Sequence, residues 1–149
     1  MPDDPTALAR AVADAMWAED RASNALGMRI EDIGPGRAVL SMTVTERMVN
    51  GHGICHGGFI FTLADSAMAF ASSSHGERAV AQHCAVTFLR PGRLGETLRA
   101  EAAERARAPR SGIYDVRVTG AGADPVAEFR GHTRTIQGGF FSSDPLRET

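Results

Sequence analysis

With 149 residues, 43% of them hydrophobic and 23% charged, the chain is long and apolar enough to bury the core of one compact domain. Its formal net charge of -2 and its scattered arginines argue against a nucleic-acid-binding surface. No uninterrupted apolar run predicts a membrane span, and the N-terminus lacks the profile of a signal peptide. The two cysteines, Cys55 and Cys84, are typical of reduced thiols. We therefore expect a cytoplasmic protein with neither a nucleic-acid partner nor a membrane segment.

The first predicted element is an amphipathic helix between residues 6 and 26, where apolar residues recur at helical spacing before Gly27. Two strands follow, at residues 28–33 and 37–45, and the Gly-Pro-Gly sequence between them is typical of a hairpin turn. A glycine-rich loop then occupies residues 46–56. The chain is thus predicted to begin with a helix, a hairpin and a loop that carries several polar side chains.

The next segment, residues 57–74, is predicted to be a long buried helix, because apolar residues occupy nearly every one of its faces. Asp65 is the only charged residue in it. A carboxylate buried in an apolar helix costs several kcal/mol unless a partner satisfies it. Asp65 is therefore either a structural acid that is paired with another group or a catalytic group that is shielded from water.

After Gly76 the hydrophobic period changes from helical spacing to alternation, which is typical of strands. Four long strands are predicted, at residues 80–90, 96–107, 112–119 and 126–136. Turn-forming sequences rich in glycine and proline separate them. We expect these strands to run as an antiparallel meander.

These elements predict an α+β fold in which one antiparallel sheet of about six strands covers a long central helix. The expected organisation is an N-terminal helix at residues 1–26, a main domain at residues 27–137 and a tail at residues 138–149. Because one sheet covers only one side of the central helix, the other side needs a cover of its own. A partner subunit is the simplest source, so we expect a homodimer at least.

The sequence His56-Gly57-Gly58 stands where the loop becomes the central helix. Unpaired backbone N–H groups at a helix start attract anions and developing negative charge. Glycines allow a substrate carbonyl to approach these amides, which is the geometry of a main-chain oxyanion hole. Asp65 would then be the base or nucleophile beside it, and Asn50 could orient a water or hydrogen-bond the carboxylate.

The spacing of these groups carries further information. Eight residues separate Gly57 from Asp65, so the two lie about 12 Å apart along one helix. A carboxylate at that distance cannot attack a carbonyl held at its own helix start. Two antiparallel helices across a dimer would bring each Asp65 near the other subunit's Gly57, and the predicted dimer would thereby build the site.

Two other kinds of chemistry are less well supported. His52, Cys55 and His56 are possible soft metal ligands, with His83 and Cys84 as a further source, but their spacing matches no closed zinc pattern. Cys55 beside His56 is a possible thiol–base pair, yet adjacent side chains usually point apart and no orienting acid is visible. We therefore predict neither a metal nor another cofactor.

The sequences NGHGICHGGFIFTLADSA, from Asn50, and VTFLRPGRLGETL, from Val86, resemble those of hotdog-fold acyl-CoA thioesterases of the phenylacetic acid degradation protein PaaI type. The resemblance covers about residues 20–137. It implies a hotdog fold, in which a curved antiparallel sheet wraps the long helix and pairs with a second sheet across a dimer. It further implies acyl-CoA as the substrate and a homotetramer, made of two such dimers, as the usual assembly.

The resemblance also implies roles for individual residues. Asp65 matches the catalytic acid of the family, which attacks the thioester directly or activates a water. Gly57 matches the amide that polarises the thioester carbonyl, and His56 and Asn50 match the supporting polar groups. The CoA arm is expected to contact Gly58, Arg90 and Arg93. The two arginines are candidates for contacts with the CoA phosphates.

The acyl group is less well defined by the resemblance. Many relatives carry an acid where Thr87 stands here, and residues 79–84, which help to shape the acyl pocket, match poorly. Aromatic and arylacetyl groups are the expected acyl groups, and medium-chain thioesters stay open as an alternative. Two alternatives stay open at this point, an enoyl-CoA hydratase and a non-catalytic acyl-CoA-binding protein. No histidine accompanies Asp65 within the helix, as a hydratase would require, and a binding protein would not need Asp65.

Overall fold

A computed structural model describes residues 2–141 of the chain. Within these residues, the helices and strands follow the predicted order, with one short 3-10 helix added in the glycine-rich loop. In chain order, the elements are α1 (Pro5–Glu19), α2 (Arg21–Ala25), β1 (Arg29–Gly34), β2 (Arg37–Thr43), the 3-10 helix (Glu46–Met48), α3 (Gly57–Ser73), β3 (Glu77–Phe88), β4 (Thr97–Ala108), β5 (Ser111–Thr119) and β6 (Pro125–Gly139).

The strands form one six-stranded antiparallel sheet in the order β1-β2-β4-β5-β6-β3. The predicted α+β class, with about six antiparallel strands and a long helix against them, is confirmed. The predicted meander of the last four strands is wrong at β3, which pairs with β6 at the sheet edge and not with β4. The connection from β3 to β4, residues 89–96, is too long for a tight hairpin and instead carries the chain to the other half of the sheet.

The N-terminal segment consists of two helices where one was predicted. Asp20 has a backbone conformation outside the helical region, and its carboxylate accepts a hydrogen bond from the Ser23 N–H at 2.9 Å. Aspartate favours such N-cap positions because its side chain satisfies an amide that the helix cannot. The second helix ends before Gly27, which adopts a φ of +70° that favours glycine.

The central helix α3 packs its apolar residues against the inner face of the sheet. Its buried side chains include Leu63, Met68 and Phe70. The N-terminal helices cover part of its other side, where Trp17 packs on Phe70 at 6.2 Å between ring centroids and the Ser23 and Ser66 hydroxyls are 2.8 Å apart. The chain therefore supplies some of the cover that the sequence interpretation assigned to a partner alone.

The edge strand β3 is long and mostly exposed. It carries charge only at its start, in Glu77 and Arg78. Strand β6 continues to Gly139, beyond its predicted end, and the Phe140 N–H donates to the Gly76 carbonyl at 3.3 Å. The Arg78 guanidinium lies over the Phe140 ring, 4.4 Å from its centroid. The remainder of the predicted tail, residues 142–149, lies outside the described residues.

Candidate active site

The glycine-rich loop is held in place by main-chain hydrogen bonds and by one side chain. The His56 N–H donates to the Met48 carbonyl at 2.7 Å, and the Cys55 N–H donates to the Gly92 carbonyl at 2.8 Å. The Asn50 Oδ1 accepts from the His52 N–H at 2.9 Å. Since the side-chain oxygen of Asn50 faces its own loop, its amide NH₂ is left without a partner among the described residues.

His56 is the N-cap of α3. Its Nδ1 accepts a hydrogen bond from the Gly58 N–H at 3.0 Å, which occupies one of the free amides at the helix start. The Gly57 N–H has no hydrogen-bond partner among residues 2–141. The arrangement of cap and glycines therefore leaves the Gly57 amide available to a ligand.

Phe88, at the end of β3, packs directly against Gly57. A Cβ atom added at Gly57 would lie 2.8 Å from Phe88 Cζ, which is closer than such atoms approach in proteins. A side chain at this position would therefore have to displace the Phe88 ring. Sequence reasoning missed this contact, although Phe88 belongs to the VTFLRPG sequence that carried the family resemblance.

A cavity of about 410 Å³ opens beside the Gly57 amide. It brings together three of the predicted site residues, Asn50, Gly57 and Arg90. Its walls are largely apolar, and the other lining residues are Ile54, Cys55, Ile60, Phe88, Leu89 and Pro91. The cavity has the size and the mixture of apolar walls and few polar groups that are typical of small-molecule sites.

Asp65 lies two turns further along α3 and does not line this cavity. Its carboxylate is half-buried and has no hydrogen bond or ion pair within residues 2–141. Burial raises the pKa of the Asp65 carboxyl above its ordinary value. Burial also raises the pKa of the Cys84 thiol, and the negative charge of Asp65 adds to that effect, so Asp65 lies in the neighbourhood of Cys84 on β3. One subunit alone therefore does not bring Asp65 to the Gly57 amide.

Arg90 and Arg93, the two arginines predicted to contact CoA phosphates, differ in their surroundings. The Arg90 guanidinium is held by the carboxylates of Glu96 and Asp124, at 2.6 and 2.5 Å. The Arg93 side chain is exposed. Its backbone N–H donates to Glu96 Oε1 at 3.1 Å, and its carbonyl accepts from the Glu96 N–H at 3.0 Å. The carboxylate pair around Arg90 was not predicted from the sequence, since one of its members, Asp124, lies 34 residues away along the chain.

The alternative chemistries find little support in this geometry. Burial raises the pKa of Cys55, and its Sγ–H points to the His56 carbonyl oxygen at 3.6 Å, as expected for a packed thiol and not for an activated nucleophile. In the described part of the chain, no group of three or more His, Cys, Asp and Glu side chains is placed to hold a metal ion. No helix in that part is long and apolar enough to cross a membrane.

Comparison with known proteins agrees with the fold. The thioesterase superfamily matches residues 52–124. The acyl-coenzyme A thioesterase PaaI of Escherichia coli is 45% identical over 126 residues, which are 85% of this chain and 90% of that protein. The solved structure of E. coli PaaI, from the phenylacetic acid degradation operon, has a TM-score of 0.90 and covers 91% of this chain and 99% of its own.

Two further solved structures are informative. The phenylacetic acid degradation protein PaaI from Thermus thermophilus is 36% identical, with a TM-score of 0.76, and the match covers 78% of this chain and 100% of that one. A Streptococcus mutans protein, smu.793, was solved bound to acetyl CoA. It is 27% identical with a TM-score of 0.71, and the match covers 73% of this chain and 88% of that one.

The chain therefore belongs to the thioesterase superfamily, and its fold is the hotdog fold. Within that class it is similar to the PaaI proteins over most of its length, as the sequence resemblance predicted. The prediction of a thioester-hydrolysing enzyme is confirmed.

Proposed function

We propose that this protein hydrolyses aromatic or arylacetyl thioesters of coenzyme A to the free acid and CoA. The E. coli relative is named an acyl-coenzyme A thioesterase, the two PaaI structures are named for phenylacetic acid degradation, and a more distant relative holds acetyl CoA. The observation that carries the proposal is the pair of unsatisfied groups on α3, the free Gly57 N–H and the unpartnered Asp65 carboxylate.

The two groups have complementary roles in thioester cleavage. The Gly57 N–H donates to the thioester oxygen and stabilises the negative charge that develops on it. Asp65 either takes a proton from a water, whose oxygen then adds to the carbonyl carbon, or adds to that carbon itself and forms an anhydride that water cleaves. In both routes the carbon–sulfur bond breaks and CoA leaves as the thiol.

Both groups must come from different subunits, because they lie about 12 Å apart on one helix. Strand β3 suggests how the subunits meet. Asp65 lies near Cys84 and Gly57 touches Phe88, and both of these neighbours belong to β3. A two-fold axis that brings Asp65 to the partner's Gly57 would therefore also set two β3 strands antiparallel, edge to edge.

The edge strand has the properties that such pairing needs. Monomeric proteins usually protect a long sheet edge with charges, prolines or bulges along it. The register of β3 against β6 is irregular between Ala81 and His83. Ten of the twelve residues of β3, from Ala79 to Phe88, nevertheless include no acidic, arginine or proline side chain, and most of them are exposed. We infer a homodimer with a continuous sheet across the two β3 strands, and a homotetramer built from two dimers.

The remaining predicted site residues have supporting roles in this proposal. His56 fixes the start of α3 as its N-cap and thereby keeps the Gly57 amide free. Asn50 shapes the loop with its side-chain oxygen and offers its NH₂ to the substrate or to a water. Gly58 allows the CoA arm to pass close to the helix start, and the exposed Arg93 is proposed to meet a CoA phosphate.

The substrate class is tested by measuring hydrolysis of a panel of acyl-CoA esters that differ only in the acyl group. We expect phenylacetyl-CoA and its ring-hydroxylated derivatives to give higher kcat/KM than straight-chain esters of equal carbon number. If straight-chain esters are cleaved as well or better, the proposed acyl preference is wrong. If no ester of the panel is cleaved, the proposed substrate class is wrong.

The pH dependence of hydrolysis provides a second test. Burial raises the pKa of the Asp65 carboxyl above 3.8, and both proposed routes need this group ionised. We expect kcat/KM to fall with decreasing pH through a midpoint above that ordinary value. Far-UV circular dichroism at each pH would separate this titration from acid unfolding. An acid limb at or below the ordinary value would show that activity does not depend on a buried carboxylate.

A further inference from the structure

We propose that Arg90 is a positioning residue that fixes the cavity wall next to Gly57, and that it does not bind a CoA phosphate. This inference rests on the proposed thioesterase function. The observation that supports it is that every N–H group of the Arg90 guanidinium donates a hydrogen bond to an acceptor of the protein itself.

All five N–H groups of the Arg90 side chain have acceptors. Nε donates to Asp124 Oδ2 at 2.5 Å, and Nη2 donates to Asp124 Oδ1 at 3.1 Å and Glu96 Oε2 at 2.6 Å. Nη1 donates to Glu96 Oε1 at 2.9 Å and to the Pro91 carbonyl at 2.8 Å. Because a guanidinium has five donors and no acceptor, no donor remains for a phosphate oxygen.

The charge around Arg90 also opposes anion binding. Hydrogen bonds from Arg90 lower the pKa of the Glu96 and Asp124 carboxyls, so both are ionised at neutral pH. One positive and two negative charges leave this cluster with a net charge of -1. A phosphate would have to displace a carboxylate from a bidentate pair to reach the guanidinium, and would meet the second carboxylate there.

The cluster ties together two segments that the sequence keeps apart. Arg90 and Glu96 are at the two ends of the β3–β4 connection, and Asp124 ends the turn between β5 and β6. Glu96 also accepts from the backbone N–H of Arg93 at 3.1 Å and of Ala121 at 3.4 Å. The guanidinium passes so close over Gly120 that a Cβ atom there would lie 1.8 Å from Nη2. The side chains therefore clamp the connection onto the turn.

The clamped connection is a wall of the proposed active site. Residues 88–91 line the cavity beside Gly57, and the Phe88 ring is in contact with Gly57 itself. The Leu89 N–H donates to the Val126 carbonyl at 2.8 Å, just beyond the turn that holds Asp124. Movement of this turn would therefore move the wall relative to the oxyanion amide, where a displacement of about 1 Å can cost a hundredfold in rate.

The test compares two substrates, the phenylacetyl ester of CoA and the phenylacetyl ester of pantetheine, which carries no phosphate. Hydrolysis of both by the wild-type enzyme tests the proposed function separately. Arg90→Met is expected to lower kcat/KM about tenfold or more on both esters, mainly through kcat. Glu96→Gln is expected to reproduce this pattern, and Arg90→Lys is not expected to restore activity because lysine cannot form two bidentate pairs.

Arg117→Met is the matched control, because Arg117 forms an exposed ion pair with Glu128 on the same sheet. If Arg90→Met does not fold, the comparison is made with Glu96→Gln, whose side chain keeps the shape of the original. A loss confined to the CoA ester, seen as a raised KM with unchanged kcat, would show that Arg90 binds phosphate and would overturn the inference. Unchanged kinetics on both esters would equally overturn it.

Discussion

Replacing Asp65 with asparagine is expected to remove most thioesterase activity while the fold and CoA binding persist. The amide has nearly the shape of the carboxylate, but it is neither a base nor a nucleophile. Loss of either role should lower kcat about a hundredfold or more. Asp14→Asn, an amide substitution on the exposed face of α1, provides the control and should leave kcat unchanged. Near wild-type turnover by folded Asp65→Asn would contradict the assignment of Asp65.

The same substitution, which is expected to lower activity, is expected to raise the stability of the fold. Burial raises the pKa of Asp65 in the folded state above its unfolded value, so the folded state favours the protonated carboxyl. The ionised carboxylate therefore destabilises the fold at every pH above these two values. Asp65→Asn removes this penalty and should raise the unfolding temperature at pH 7. A stabilised but inactive variant is the result expected of a residue retained for catalysis.

Substitution of Gly57 should have the second-largest effect. A Cβ atom at this position meets the Phe88 ring at 2.8 Å, and a larger side chain would also fill the space beside the proposed oxyanion donor. The ring is 49% exposed and can turn away, so Gly57→Val should fold. We expect a loss of about a hundredfold in kcat, the size seen when an oxyanion donor is removed.

Gly51→Ala is the matched control for this substitution. Gly51 lies in the same glycine-rich loop, and a Cβ atom there would meet nothing within 4 Å. It should keep wild-type kinetics. Full activity in a folded, dimeric Gly57→Val protein would remove the oxyanion role from this amide.

Local sequence patterns predicted the elements of this fold well. The change from helical to alternating spacing after Gly76 marks the real boundary between α3 and the long strands. The lone carboxylate of Asp65 in an apolar helix identified a half-buried and unpartnered group, because burial and charge are both readable from the residues around it. The glycines at the start of α3 likewise predicted free amides, and one of them, that of Gly57, has no partner among the described residues.

Contacts between distant residues were not predictable in the same way. The pairing of β3 with β6 joins the two ends of the strand-forming half of the chain, and no local pattern records it. The Arg90 clamp depends on Asp124, which lies 34 residues away. The break at Asp20 has a different origin. Apolar spacing continues through this position, so the pattern predicted one helix, whereas the Asp20 side chain caps a new helix by accepting from the Ser23 N–H.

The central claim is that each active site combines Asp65 of one subunit with Gly57 of the other. It is tested most directly by mixing Asp65→Asn and Gly57→Val proteins, each inactive alone, under conditions in which subunits exchange. In a mixed dimer, one site would carry both substitutions and the other would carry neither. Exchange is verified by native mass spectrometry of differently tagged chains, and activity is measured before and after it.

We predict that activity returns as mixed dimers form, up to about half of the wild-type value per mixed dimer, since one of two sites is restored. If each site lay within a single subunit, every site in the mixed dimer would keep one substitution. Mixed dimers that are shown to form and that remain inactive would contradict the shared site.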